Sequence, residues 1–174
     1  GYYGHAAEGC LHIRPTINLK NQEGINRMIK ISSEISDLVK EFDGSLSGEH
    51  GDGIVRGVWS EKMYGPKIIS SFRELKGAFD PDSIMNPGKI FDTPKMGDNL
   101  RYGTTYKLKS IDTVLDFSEE GGFEGAVEKC IGVGACRKLN EGAMCPSYMA
   151  TREEVHSTRG RANALRGVLS GALK

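Results

Sequence analysis

Charge of one sign is what this sequence most plainly lacks: 23 Lys and Arg balance 23 Asp and Glu over 174 residues. That balance removes any bulk electrostatic case for nucleic acid or an anionic membrane surface as partner. No apolar run approaches the roughly 18 residues that a membrane-spanning helix needs, and no secretory leader pattern is present. Internal repeats, low-complexity tracts, a Gly-x-Gly-x-x-Gly fingerprint and a phosphate loop are also missing. Cysteine is scarce at four residues. Cys10 stands alone, while Cys130, Cys136 and Cys145 fall close together. A secreted disulfide framework would spread its cysteines through the domain. Clustering favours metal or iron–sulfur ligation in a reducing compartment, and so predicts a cytoplasmic location, the inner face of the membrane included. The chain opens at Gly1 within a dense motif and reads as a piece of a longer protein.

What is present is a run of well-punctuated elements. Residues 1–15 predict two short strands around a turn at Ala7-Glu8-Gly9. Asn21 to Phe42 predicts an amphipathic helix, with Ile25, Met28, Ile29, Ile35, Leu38, Val39 and Phe42 on one face and Gly44 as its stop. Ser32 is the one polar residue in that stripe, which is read as core. Gly44 to Val58 predicts strand, glycine loop, strand. A second helix is predicted over Pro66 to Phe79, broken by Asp80-Pro81-Asp82 and followed by a tight turn at Met85-Asn86-Pro87-Gly88-Lys89. Residues 93–120 suggest a connector with a strand or two, Phe123 to Lys129 a short helix, and Arg152 onward a further helical region.

The histidines carry the chemistry. Glu49 and His50 are adjacent on the loop Ser47-Gly48-Glu49-His50-Gly51-Asp52-Gly53, where glycines let backbone approach a ligand closely. His5 and His12 lie seven apart. On one uninterrupted strand an odd separation puts side chains on opposite faces, so the turn at Glu8-Gly9 must reset the register if both imidazoles are to share a site. With Glu49 they would supply two nitrogens and one carboxylate oxygen, the usual protein share of a catalytic divalent metal site. His50 would then be free to act as general base, since imidazole titrates near neutrality. A single histidine is more often structural or exposed than a ligand. Three in glycine-flanked motifs weigh against that reading, and spacing alone leaves both open.

Three motifs occur in order: Gly4-His5-Ala6-Ala7-Glu8-Gly9-Cys10-Leu11-His12, Gly48-Glu49-His50-Gly51-Asp52-Gly53, and Phe79-Asp80-Pro81-Asp82-Ser83-Ile84-Met85-Asn86-Pro87-Gly88-Lys89-Ile90. Together they resemble the end of the C-terminal domain of FAD-linked 2-hydroxy-acid dehydrogenases of the vanillyl-alcohol oxidase type, over residues 1 to about 92. D-lactate dehydrogenase, the glycolate oxidase flavin subunit and D-2-hydroxyglutarate dehydrogenase belong to that group. The resemblance implies that His5, His12 and Glu49 hold a divalent metal, zinc or manganese, that His50 is the catalytic base, and that Asn86 lies close to the flavin. Where many relatives have Gly-Asp-Gly-Asn, this chain has Ala7-Glu8-Gly9-Cys10. Cys10 is read as a small packed residue. Arg14 is a candidate for a bidentate grip on a substrate carboxylate, or else a surface arginine.

Cys130 and Cys136 are separated by five residues, and Cys145-Pro146 follows. Cys-Pro closing a cysteine run is typical of ferredoxin-like clusters, whereas the wide first gap is not, and three cysteines fall one short of a [4Fe–4S] ligand set. A structural zinc site would meet the same shortage, with His156 as a fourth ligand. The segments Met144-Cys145-Pro146-Ser147-Tyr148-Met149-Ala150-Thr151 and His156-Ser157-Thr158-Arg159-Gly160-Arg161-Ala162 are similar to the iron–sulfur half of fused flavin/iron–sulfur dehydrogenases, which implies that Cys130, Cys136 and Cys145 belong to an incomplete cluster site. Arg159, Arg161 and Arg166 are read as a solvated or inter-helix face.

The resulting expectation is an α+β chain. Residues 1–92 end an antiparallel-sheet-plus-helices substrate domain, 93–122 connect, and 123–174 begin a mostly helical ferredoxin-like domain. The resemblance implies a parent enzyme that oxidises a D-2-hydroxy acid to the 2-oxo acid. Electrons would pass from FAD, bound mainly elsewhere, through [4Fe–4S] clusters to a quinone or an electron-transfer protein. The isolated piece is expected to be inactive and prone to self-association. Two other classes remain open: a non-catalytic electron-transfer or metal-binding module, and a metal hydrolase using His5, His12 and Glu49.

Overall fold

The computed structural model describes residues 1–140, 142 and 144–173. It contains two compact units, 1–105 and 106–174, and the architecture is α+β: helices with one small antiparallel sheet.

The first unit begins with a hairpin, β1 (Tyr2–His5) and β2 (Cys10–Ile13), turned by a 3₁₀ segment at Ala6–Glu8. The ladder pairs Tyr3 with His12 and His5 with Cys10. Partners directly across an antiparallel ladder share a face, as do residues two apart on one strand. Tyr3, His5, Cys10 and His12 therefore all lie on one side of the hairpin. Helix α1 (Gln22–Glu41) starts where Asn21 Oδ1 accepts the Gly24 amide at 2.7 Å, a side-chain cap for one of the four unpaired donors of a helix start. Its apolar stripe is only partly covered. Ile25 is buried, but Leu38 and Phe42 are 55% and 75% exposed, so the stripe is not the continuous core that its periodicity suggests.

Ser32, the polar intruder in that stripe, accepts the Trp59 indole N–H at 2.7 Å. Lys62 Nζ reaches the Ser36 hydroxyl at 2.9 Å and the Ser33 carbonyl at 3.1 Å. Polar contacts thus fasten α2 (Ser60–Tyr64) to α1. Helix α3 (Pro66–Phe79) starts with proline at its first position, where a missing N–H costs nothing, and buries Ile69. The buried Asp80 carboxylate ends it, accepting from the Lys76 ammonium and from the amides of Ile84 at 3.0 Å and Met85 at 2.9 Å. Those bonds fold the turn that leads to Asn86.

The strands expected over 44–58 do not form. Gly51 and Gly53 take left-handed φ values of 72° and 58°, which end any extended run, and the chain winds into a 3₁₀ turn at Gly57–Trp59 instead. Ile90 N donates to Gly53 O at 2.7 Å, tying the segment after Asn86 to the glycine loop. Gly57 makes that approach possible: a Cβ there would stand 2.5 Å from Thr93 Cγ2 and 3.0 Å from the Ile90 carbonyl. Nor does any strand form among residues 93–120. Pro94 and left-handed Asn99 leave turns in their place.

The second unit is helical: α4 (Phe123–Glu128), α5 (Pro146–Thr151) and α6 (Thr158–Leu169), with 3₁₀ turns at Ser118–Glu120, Ala135–Arg137 and Glu154–His156. The helical region expected from Arg152 onward is realised as the last of these turns and α6. Ser157, fully buried, caps α6 by accepting the Gly160 amide at 2.8 Å. Cys136, Cys145 and Tyr148 pack together as a buried cluster.

Candidate metal and substrate site

Glu49 sits among three imidazoles. His12 Nε2 and His50 Nε2 each lie 3.0 Å from Glu49 Oε1, and His5 Nε2 lies 3.4 Å from Oε2. The hairpin explains His5 and His12: the ladder register puts both rings on one face, 5.2 Å apart and nearly perpendicular. The Gly48-to-Gly53 loop brings up Glu49 and His50, with the Gly48 backbone lying close against Cys10 Sγ. Tyr3 stacks flat on His12, 4.5 Å between centroids and 13° between planes, which fixes the ring that a ligand role would need held.

Among the described residues, His5, His12 and Glu49 form one group able to offer three ligand atoms within 4.8 Å of one another. A tetrahedral ion with ligands at about 2.0 Å places them about 3.3 Å apart; the 3.0 and 3.4 Å contacts lie on either side of that spacing and run to the two different oxygens of Glu49. Two neutral imidazoles and one carboxylate are also a donor set that suits zinc or manganese. His50 lies beside this group, mostly exposed at 62%, where it can reach a bound molecule.

Arg14 belongs to the same place. It lies two residues after His12, with its guanidinium 5.1 Å from the centroid of the Tyr3 ring, and it lines a cleft of about 330 Å3 together with His12, Glu49, His50 and Arg56. Arg56 was not marked by any sequence motif. The signal that would have found it is its place five residues after Gly51, whose carbonyl accepts Arg56 Nε at 3.0 Å. Cys10, expected to be a packed residue, is half-buried with Sγ 3.8 Å from His12 Nε2. Asn86 is left-handed (φ 49°), accepts Lys89 Nζ at 3.0 Å, and does not line this cleft. Its link to the loop runs through Ile90 and Gly53.

In the second unit, Arg159 organises the cysteine loop, a role that its reading as part of a solvated or inter-helix face missed. Its backbone N–H points at Cys136 Sγ at 3.4 Å, and Nη1 donates to the Gly132 carbonyl at 3.1 Å. Glu154 holds the same guanidinium in a two-oxygen grip at 2.8 and 2.9 Å. Cys145 Sγ contacts the His156 carbonyl at 3.2 Å, while the His156 ring turns to Glu153 at 3.5 Å. The Tyr148 backbone N–H, helped by Thr158 and Arg161, holds the Cys145 thiol below its ordinary range despite burial. Cys130, Cys136 and Cys145 are thus in one neighbourhood with Arg159, but they do not form a three-ligand group of the kind His5, His12 and Glu49 make.

With this geometry in view, residues 1–90 match the family described as FAD linked oxidases, C-terminal domain. The chain belongs to that family. It is 36% identical over 168 residues to D-2-hydroxyglutarate dehydrogenase of Pseudomonas putida, which covers 95% of this chain and 16% of that protein. The Haemophilus influenzae protein of the same name is 34% identical over 167 residues, again 95% and 16%. The glycolate oxidase subunit GlcD of Bacillus subtilis is 36% identical over 89 residues, covering 51% of this chain and 19% of that protein. The chain therefore spans about one sixth of the length of the first two relatives. Their similarity runs through the cysteine region, whereas that of GlcD covers only half of the chain. No solved structure matches.

Proposed function

We propose that this chain carries the substrate- and metal-holding groups of a FAD-linked dehydrogenase that oxidises a D-2-hydroxy acid to the 2-oxo acid. The observation that carries the reading is the Glu49 carboxylate meeting His5, His12 and His50 within 3.4 Å, in a cleft that Arg14 also lines. The family match and the names of the relatives support it. His5 Nε2, His12 Nε2 and a Glu49 oxygen would hold a divalent ion, zinc or manganese. That ion would supply Lewis acidity to the substrate hydroxyl, and FAD the two-electron sink for the hydride on the reacting carbon.

The chain's own residues do the rest. Arg14 takes the carboxylate next to the reacting carbon through its paired N–H groups. His50 Nε2 takes the hydroxyl proton, and the neighbouring Glu49 charge stabilises the imidazolium that results. Tyr3 keeps His12 from rotating. Asn86, on the turn tied to the glycine loop, belongs beside the flavin.

In the second unit, Cys130, Cys136 and Cys145 would contribute ligands to a [4Fe–4S] site completed by other residues of the polypeptide, and that group would supply one-electron transfer toward a quinone or a carrier protein. The full-length reach of the long relatives across this region favours that reading. The functional division is 1–92 for the substrate domain, 93–122 for the connector and 123–174 for the cluster domain. The enzyme works in the cytoplasm or at the inner face of the membrane; none of the described helices is long and apolar enough to cross it.

The test is flavin absorbance and 2-hydroxy-acid-dependent dye reduction by the intact polypeptide, repeated with His50→Ala. Bound flavin, turnover, and a fall of roughly 100-fold or more in the variant are expected. Absence of flavin, or normal turnover by His50→Ala, overturns the assignment.

A further inference from the structure

The first turn of α6 is aimed at the cysteines of the second unit. Ser157 takes the Gly160 amide, which leaves the two amides before it to find partners outside the helix. The Thr158 amide and hydroxyl both bond the Cys145 sulfur, and the Arg159 amide points at Cys136 Sγ at 3.4 Å. One helix start thus donates to two buried sulfurs. The surrounding charge has the same sense. Arg137 and Arg159 share one carboxylate, Glu154, through contacts of 3.2, 2.8 and 2.9 Å, so two cations stand against one anion. Glu154 pins the Arg159 guanidinium from one side, and the Gly132 carbonyl holds it from the other at 3.1 Å. Arg137 is fixed in turn on the Tyr148 hydroxyl at 2.9 Å, and Tyr148 packs with Cys136 and Cys145.

This donor set suits a cluster. Cysteines of a [4Fe–4S] group bind different irons, so they need not gather round one point as His5, His12 and Glu49 do. Sulfurs that already accept amide N–H groups are prepared to ligate as thiolates. Hydrogen bonds to the sulfurs and positive charge nearby both favour the reduced, more anionic state of such a group. Resting on the iron–sulfur reading above, we infer that Arg159 is a positioning residue that sets the cluster's potential. It fixes the 130–136 loop on α6, and its charge raises the reduction potential of the cluster that Cys136 helps to hold. Glu154 is the counterweight, keeping Arg159 in place while offsetting that charge.

The test is the midpoint potential of the cluster in the intact polypeptide, read by EPR during a redox titration, with iron and sulfide content as the measure of occupancy. Cys136→Ser shows which signal belongs to this site. Arg159→Gln keeps the backbone amide and removes the charge. It should cut the reduced-to-oxidised ratio at a fixed poise about tenfold, a fall of about 59 mV for one electron. Arg159→Lys should recover part of that fall. Glu154→Gln should move the midpoint the opposite way. A loop merely loosened by these changes would shift both variants in one direction, or neither, and that result overturns the inference while leaving the iron–sulfur reading intact. Should Arg159→Gln fail to assemble the cluster, Glu154→Gln decides alone: an upward shift supports the inference, and no shift or a downward one overturns it. Wild-type protein without iron and sulfide, or a Cys136→Ser variant with every signal unchanged, overturns the iron–sulfur reading as well.

Discussion

Glu49 Oε1 lies 3.0 Å from His12 Nε2, joining the N-terminal hairpin to a glycine loop that no regular secondary structure supports. The loop is held instead by single contacts: Ile90 N to Gly53 O, Arg56 Nε to Gly51 O, and the close fit of Gly57 against Ile90 and Thr93. The position of the carboxylate is therefore sensitive to residues far from it in sequence.

Gly57→Ala tests that sensitivity. A methyl group 2.5 Å from Thr93 Cγ2 and 3.0 Å from the Ile90 carbonyl must push the Ile90 strap away from the loop. Overpacking of this kind costs about 1–3 kcal/mol. Thermal unfolding should show that loss, together with weaker divalent-metal binding; unchanged stability would mean the strap gives way freely.

Ser32→Ala removes the acceptor of the Trp59 indole N–H and should cost about 1 kcal/mol. The chain contains one tryptophan, so Trp59 emission during denaturant unfolding reports the change where it occurs. An unshifted midpoint would show that water replaces the hydroxyl without penalty.

The turn before Asn86 should respond to acid. The Lys76 ammonium, followed by the Met85 and Ile84 amides, holds the Asp80 carboxyl below the ordinary carboxylate range. A depressed folded value means the ionised form is the one that stabilises. Its contribution is complete above the unfolded value of about 3.9 and disappears as pH falls through the lower, folded value. NMR titration of the Met85 amide should give a midpoint below that of a free aspartate, and Asp80→Asn should abolish the transition. A midpoint at or above 3.9 would contradict the assigned bonds.

How much of this was legible beforehand follows from the range of each interaction. The helices α1 and α3 and the hairpin are written locally, in cap residues such as Asn21 and Pro66, in period, and in the turn at Gly9. The fold class and the convergence of His5, His12 and Glu49 were legible through the resemblance that the ordered motifs carry; spacing alone left that convergence open. The strands expected beside the glycine loop failed because hydrophobic residues such as Ile54 and Val55 suggest extension, while two left-handed glycines and a lack of ladder partners forbid it; both side chains are exposed. Periodicity also overstated the core, since Leu38 and Phe42 stand on the apolar face of α1 without cover. Arg56 went unmarked, and Arg159 was read as a solvated or inter-helix face, because their contacts run to backbone carbonyls, at Gly51 and Gly132, which no residue pattern announces.

Divalent-metal content of the intact protein, measured beside that of Glu49→Ala after identical purification, tests the central claim most directly. The account predicts stoichiometric metal in the wild type and a loss of affinity in Glu49→Ala beyond the roughly 10- to 100-fold typical of changes outside the ligand shell. Equal metal content in the two proteins would contradict it.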